Sequence, residues 1–526
     1  MQKEVSRAIK GTWILTIASL FSELLSAIYR IPLQNIVGDR GYFIYQQVYP
    51  LYGIFSVLAL SGLPVVISKT FAQQDTIIAK HNLLKKTFNL LLVSCVVITG
   101  LLWFYAKYLA FLMGDPNLYP EVRAVSLAFL LVPFEASLRG YFQSNLIMEP
   151  SAISQVSEQL VRIVIIIGSA LLFGRGVFDV YKMGTWANSG AFIGGIFAVF
   201  ILVIWFLKDK SKLDKAKLHQ DKKSHHPIKL EHGLVLEVVL IVVFTGITIF
   251  YQFIDSFSML RLLMHAGINL NQAEIQKGIF DRGQPLLQLG IVLSLSFVST
   301  IMPQLKETNR LKQNKSTIQK MVRVCLWLSV AETAGLIALM PQINTMLFTD
   351  ASGSKSLAIY MLSIMIVSFI NLLIAVTSGD DEKNVHKLIL FGMSLLAKIA
   401  LNIILIPKFG IAGGAMATVL SECVILFGIL IIYNFNREFL SLDKKFILSL
   451  IKVGLIMAIV VKIIVKLLSM AVIVNRPSSV LINIIAIPIG ALIYLSLTKH
   501  WQMLTKEEWE ILPMGKYITK FMKIRE

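Results

Sequence analysis

The sequence predicts an all-α polytopic membrane protein of about 14 transmembrane helices, built as two six-helix lobes around a central cavity plus two C-terminal helices. Three observations carry that prediction. Apolar runs long enough to cross a bilayer, which takes roughly 20 residues per helix, recur along the whole chain. A polar stretch from Lys208 to His232, KDKSKLDKAKLHQDKKSHHPIKLEH, divides these runs into about six before it and about eight after it. Lysine and arginine are concentrated in alternate loops, about 32 in those assigned to the inside against about 10 outside, as the positive-inside rule requires.

The expected spans run over 11–31, 48–67, 87–105, 124–142, 156–173 and 185–207, then 233–254, 285–302, 324–348, 356–378, 388–406, 411–433, 447–469 and 478–497. Four regions follow: an N-terminal six-helix lobe (1–207), a cytoplasmic basic linker (208–232), a C-terminal six-helix lobe (233–433), and two extra transmembrane helices with a basic cytoplasmic tail (434–526). The eight lysines of the linker against four acids resist translocation. The expected location is therefore the cell membrane, multi-pass, with both termini cytoplasmic. The first helix is expected to be retained, because its apolar run holds Glu23 and Arg30 and no small-residue cleavage site follows.

The hydrophobic content of 56% and mean hydropathy of +0.71 override the several soluble domains that 526 residues would otherwise suggest. A net charge of +19 distributed over loops is topological rather than a basic face, so no nucleic-acid partner is expected. Cys95, Cys325 and Cys423 lie far apart in apolar segments, which argues against a disulfide framework or a cysteine metal site.

The halves resemble one another. Residues 138–167 and 371–405 each read as helix, polar turn and helix with one cation, Arg162 or Lys398, and both are followed by glycine-rich starts at 184–198 and 409–422. A repeat separated by an even number of spans keeps its orientation in the membrane, so such halves enclose a cavity. Pro64 and Pro303 mark a kink or stop in the second helix of each half. Gly190, Gly194, Gly195, Gly413, Gly414 and Ala417 read as helix-packing residues.

No GxxxxGK[ST] loop and no HExxH helix occurs, and no loop exceeds the linker in length, so transport rather than enzyme catalysis is expected, with no cofactor and no metal. His219, His225, His226 and His232 belong to a solvated lysine-rich linker rather than a fixed metal site. Ionisable residues within spans are the functional candidates, because a charge there costs roughly 2.5 to 3.5 kcal/mol by insertion scales. Glu135 with Arg139, and Glu158 with Arg162, have i,i+4 spacing and can neutralise each other in pairs. Glu23 lies two turns from Arg30 and cannot reach it, and Asp255 and Arg261 close the seventh span. Arg30, Arg139, Arg162, Arg261 and Arg282 would select an anion, since the guanidinium fork matches phosphate oxygens. Headgroup snorkelling is the competing explanation for Arg30 and Arg261, and for Lys462 and Lys466.

Six segments carry a family resemblance: GTWILTIASLFSELLSAIYRIPL, VGDRGYFIYQQVYPLYGIF, SGLPVVISK, LRGYFQSNLIMEPSAISQVSEQLVRI, FDRGQPLLQLG and IPKFGIAGGAMATVLSE. Over nearly the whole chain they resemble the SpoVB-like and MurJ-like lipid II flippases of the multidrug/oligosaccharidyl-lipid/polysaccharide exporter superfamily. The resemblance implies carriage of an undecaprenyl-diphosphate-linked saccharide for cell-wall or polysaccharide biosynthesis, with a diphosphate site to which Arg30 and Arg282 correspond. Glu23 departs from the basic or polar residue usual in the family. Membrane lipids are expected partners, the functional unit is expected to be a monomer, and a coupling ion or the membrane potential is left open as the driving force. The alternatives are a cation-coupled multidrug antiporter of the same superfamily, which would favour unpaired acids, and a membrane glycosyltransferase, whose only candidate loop is 262–284 with Glu274 and Asp281.

Overall fold

A computed structural model describes residues 2–72, 77–217, 232–301, 315–377, 383–434, 444–471 and 475–512, with isolated positions beside them. All regular structure among them is helical. Eleven stretches are long and apolar enough to cross a membrane, and the first, Trp13–Ala72, runs for 60 residues. That is far more than the roughly 20 residues of one crossing, and it covers both of the first two expected spans.

Local chemistry breaks that first stretch. Helix α1 (Gln2–Ile28) ends at Tyr29, and α2 (Arg30–Ser56) is interrupted at Gly38, whose φ of 67° is a conformation that glycine adopts without a Cβ penalty. A wide π-helical turn, Val57–Gly62, then leads into α3 (Leu63–Ala72). Pro64 lies in the first turn of α3, and its missing N–H and its ring account for the distorted turn before it. Pro303 lies outside the described residues.

After α4 (Ile77–Phe104) and α5 (Ala106–Leu112), the expected span 124–142 is a divided element. Helix α6 (Tyr119–Ser126) passes through a 3-10 turn, Leu127–Leu131, into α7 (Val132–Ser144). Glu135 and Arg139 sit on α7, which explains why this segment lacks the unbroken apolarity of its neighbours. The expected span 285–302 corresponds to α13 (Gly283–Ile301), and it too lies outside the eleven.

By packing, the chain forms two compact units, Met1–Met264 with Asn269–Gly278, and His265–Ile268 with Ile279–Glu526. The linker boundary expected at 208–232 falls mostly outside the described residues, which resume at 232. Helices α10 (His232–Thr245) and α11 (Ile247–His265) pack within the first unit. Gly62 abuts Val242, Gly53 abuts Ile249, and Gln47 donates to the Ser256 carbonyl at 2.7 Å. Residues of α12 (Leu270–Asp281) up to Gly278 also belong there, and a Cβ on Gly278 would lie 2.1 Å from the Asp39 carbonyl oxygen.

Also in the first unit, α8 (Glu149–Gly174) packs along α9 (Val180–Lys217) so closely that a Cβ on Gly194 would lie 2.7 Å from the Glu158 carbonyl oxygen. The second unit contains α14 (Lys315–Phe348), α15 (Ser354–Tyr360), α16 (Leu362–Val376), α17 (Asn384–Phe409) and α18 (Ile411–Ile432). Its α17 and α18 use the same device, a Cβ on Gly413 falling 2.2 Å from the Leu405 carbonyl oxygen. Small residues that bring backbones together are what the two glycine-rich starts have in common.

The two last long helices, α19 (Lys444–Ala471) and α20 (Arg476–His500), pack on each other and on α14. Trp327 of α14 donates to Thr498 Oγ1 at 2.9 Å and accepts at its carbonyl from Tyr494 Oη at 2.7 Å. A short helix α21 (Lys506–Ile511), opened by a capping box on Thr505, buries Trp509 against Trp327 and holds Glu508 against Arg323 at 2.8 Å.

Candidate functional site

Helix α2 supplies tyrosines at 42, 45, 49 and 52, a spacing of three and four that lines one helical face. Tyr29, at the break before α2, completes the group, and its hydroxyl lies 2.6 Å from that of Tyr45. Arg162 of α8 enters this cluster. Its Cζ is 3.5 Å from the Tyr52 ring centroid and 5.6 Å from those of Tyr29 and Tyr49, while Nη2 donates to Tyr45 Oη at 2.8 Å and to Tyr29 Oη at 3.2 Å. Arg30 stacks on the same cluster, its Cζ 4.4 Å from the Tyr49 centroid. Both arginines are only 2% exposed.

The two arginines have no carboxylate within ion-pair distance among the described residues. Aromatic faces and phenol oxygens offset their desolvation instead, a cation–π contact out of water contributing about 2 kcal/mol or more. Arg30 Nε has no hydrogen-bond acceptor. This is a buried, doubly cationic, hydroxyl-lined cluster, and its chemistry suits an anion.

Next to it a third arginine is paired with carboxylates. Arg139 of α7 lies between Glu135 Oε2 at 2.8 Å and Glu158 Oε2 at 3.0 Å, and also donates to Ser154 Oγ at 3.2 Å and to the Ala59 carbonyl at 3.0 Å. The expected Glu135–Arg139 pair is therefore present, but the expected Glu158–Arg162 pair is not. Glu158 turns to Arg139 and Arg162 to the tyrosines, because the neighbouring helices α7 and α2 offer closer partners than the same helix does. On α9, Gly195 leaves room for the acid, since a Cβ there would lie 2.9 Å from Glu135 Oε1.

The remaining candidates lie elsewhere. Arg261 of α11 donates to the Phe111 carbonyl and stacks 4.9 Å over the Phe111 ring, apart from the tyrosines. Asp255 is buried on the same helix. Glu23 is half-buried on α1 and makes no hydrogen bond or ion pair with a described residue. Arg282 belongs to the second unit, where its two Nη atoms grip the Asp350 carboxylate at 3.0 and 2.9 Å and Nη1 reaches Asn344 Oδ1 at 3.2 Å. Burial alone would raise the Asp350 carboxyl, but Arg282 and the Ser352 hydrogen bonds hold it below the ordinary range. Of the five arginines, Arg30, Arg139 and Arg162 form one contiguous group, and Arg261 and Arg282 do not join it by any described contact.

Sequence reasoning missed the tyrosines, whose three-four spacing in YFIYQQVYPLY was the available signal. It also missed Arg40–Glu274, 2.6 Å apart, and buried Glu121. Burial, aided by the negative charges of Asp115 and Asp179, pushes the Glu121 carboxyl up to about 8 against hydrogen bonds that lower it. In the second unit, buried Lys398 donates to Thr418 Oγ1 at 2.7 Å and to the Gly414 carbonyl at 3.2 Å. No cluster of His, Cys, Asp and Glu suited to a metal occurs among the described residues.

Comparison with known proteins places this geometry in context. Residues 8–309 match the family model described as polysaccharide biosynthesis protein. The chain is 33% identical over 525 residues to the uncharacterized membrane protein YabM of Bacillus subtilis (strain 168), covering 98% of this chain and 97% of that one. It is 25% identical over 523 residues to the lipid II flippase MurJ of the same organism, covering 93% and 94%. Among solved structures, a lipid II flippase MurJ in an inward closed conformation aligns with a TM-score of 0.66 at 16% identity, over 94% of this chain and 98% of that one, a likeness of fold.

Proposed function

Because the chain belongs to the polysaccharide biosynthesis protein family and is a multi-pass membrane transporter rather than an enzyme, we propose that it flips an undecaprenyl-diphosphate-linked saccharide across the cytoplasmic membrane. The cargo is lipid II or a polysaccharide repeat unit, and the movement is alternating access by two six-helix lobes about a central cavity. The observation that carries this reading is the pair Arg30 and Arg162, two buried guanidinium groups with aromatic and hydroxyl partners but no carboxylate. A diphosphate supplies the paired oxygens that such forks bind best. Arg139 is already neutralised by two glutamates and Arg282 by Asp350, so they are secondary candidates, and Arg261 is engaged with Phe111. The family relationship to a protein named as a lipid II flippase supports the same substrate class.

Depleting the protein in cells that depend on it should accumulate the undecaprenyl-linked precursor on the cytoplasmic leaflet. An unchanged leaflet distribution together with loss of drug efflux would replace this reading with the cation-coupled antiporter.

We also propose that both termini and the Lys208–His232 segment are cytoplasmic. A cysteine placed at Lys215 should then be shielded from an impermeant thiol reagent in intact cells and one at Gln272 labelled. Labelling of the first from outside would reverse the orientation.

A further inference from the structure

The second unit contains a concavity of about 410 Å³ at the C-terminal ends of α14 and α19 and the start of α15. Its lining brings together three lysines, Lys355 from α15 and Lys462 and Lys466 from α19, with Gln342, Ser354 and Ser469, and includes no acidic residue. All three lysines are exposed, and none makes a hydrogen bond or ion pair with a described residue. The remaining wall is mostly apolar.

From this we infer that the concavity is a binding site for the phosphate headgroup of an anionic phospholipid. Lys462 and Lys466 are one turn apart on α19, an arrangement of like charges that weakens a helix unless something compensates it. Snorkelling accounts for any one of these lysines reaching the interface. It does not account for a third ammonium group converging from another helix on a cavity that also holds an amide and two hydroxyls. A phosphate oxyanion satisfies the ammonium groups; the Ser354 and Ser469 hydroxyls already donate to the Ala351 and Lys466 carbonyls, and their oxygens, with the Gln342 amide, can still accept from a glycerol headgroup. Beside the lysines on α19, Ile463, Leu467 and Met470 are 52%, 62% and 72% exposed, an apolar face on which an acyl chain can lie. By the orientation proposed above, the concavity lies at the outer end of its helices, so the lipid it would hold belongs to the outer leaflet, and the recognition is by the charge of its phosphate. The inference does not depend on which saccharide is carried.

The test uses the full-length protein in phosphatidylcholine nanodiscs with and without phosphatidylglycerol, reading retained lipid by native mass spectrometry and stability by thermal melting. Phosphatidylglycerol should be retained and should raise the Tm, and added salt should weaken both effects. The Lys355→Gln/Lys462→Gln/Lys466→Gln variant should lose apparent affinity by about a hundredfold. Lys→Arg at the same positions should keep most of it, and Lys408→Gln with Lys452→Gln should change nothing. Should the triple variant fold poorly, Ala358→Trp, which fills the concavity without altering charge, should also expel the lipid. Unchanged retention in the triple variant, or in the tryptophan variant, overturns the inference. So does binding of undecaprenyl diphosphate at these lysines that phosphatidylglycerol fails to displace, which would make the concavity a station for the lipid-linked substrate.

Discussion

Arg162→Ala is expected to abolish transport while the protein remains in the membrane. The substitution removes a guanidinium that touches three tyrosine rings and two phenol oxygens, but it strands no carboxylate, since none pairs with it. Tyr29 and Tyr45 keep the 2.6 Å hydrogen bond between their own hydroxyls. The structural loss is therefore limited, whereas the loss to a bound diphosphate is two charge-assisted hydrogen bonds, each contributing about 1.5 to 3 kcal/mol. A fall in transport of a hundredfold or so or more follows from that sum. Arg162→Lys should be intermediate, because an ammonium keeps the charge without the planar fork, and Arg30→Ala should behave like Arg162→Ala. The readout is lipid-linked precursor on the cytoplasmic leaflet, normalised to membrane abundance. Normal transport by both alanine variants would move the anion site to one of the secondary candidates, Arg139 or Arg282.

The second large effect concerns folding rather than transport. Arg139→Gln leaves Glu135 and Glu158 facing each other in a buried site without their shared cation, and breaking such a pair costs about 3 to 5 kcal/mol. Membrane levels and the melting temperature of solubilised protein should both drop sharply. The triple change Glu135→Gln/Arg139→Gln/Glu158→Gln should recover most of the loss, since neutral amides carry no stranded charge. Glu158→Gln/Arg162→Gln should show no such compensation. Recovery in that double variant instead would mean that Glu158 and Arg162 act as partners after all.

These two expectations mark how far the sequence was legible. Long apolar runs and alternating basic loops are one-dimensional signals, and they identified the helical membrane fold and the glycine-rich stretch that Gly194 uses to press against α8. The i,i+4 rule likewise found Glu135 with Arg139, because that contact lies within one helix. It could not see that Glu158 would reach across to α7, or that Asp350 would take Arg282 from 68 positions away, since such partners are chosen by helix packing. The tyrosines were visible as a periodicity on α2, but tyrosine is amphipathic and its three-four spacing reads as ordinary core until a buried cation is found among the rings.

The tyrosine cluster also constrains how transport can be powered. Guanidinium groups keep their protons throughout the range of pH that a cell meets. The charge of Arg30 and Arg162 is thus a fixed quantity, and a transmembrane proton gradient gains no leverage by titrating it. A membrane potential can still act on that charge, at about 2.3 kcal/mol per elementary charge per 100 mV for a full crossing. A step driven by protons would have to engage another titratable group, and Glu121, whose carboxyl burial pushes up to about 8, is a candidate for it. Under the proposed function, substrate recognition and any proton-driven step would therefore rest on different chemical groups, the first of them insensitive to pH.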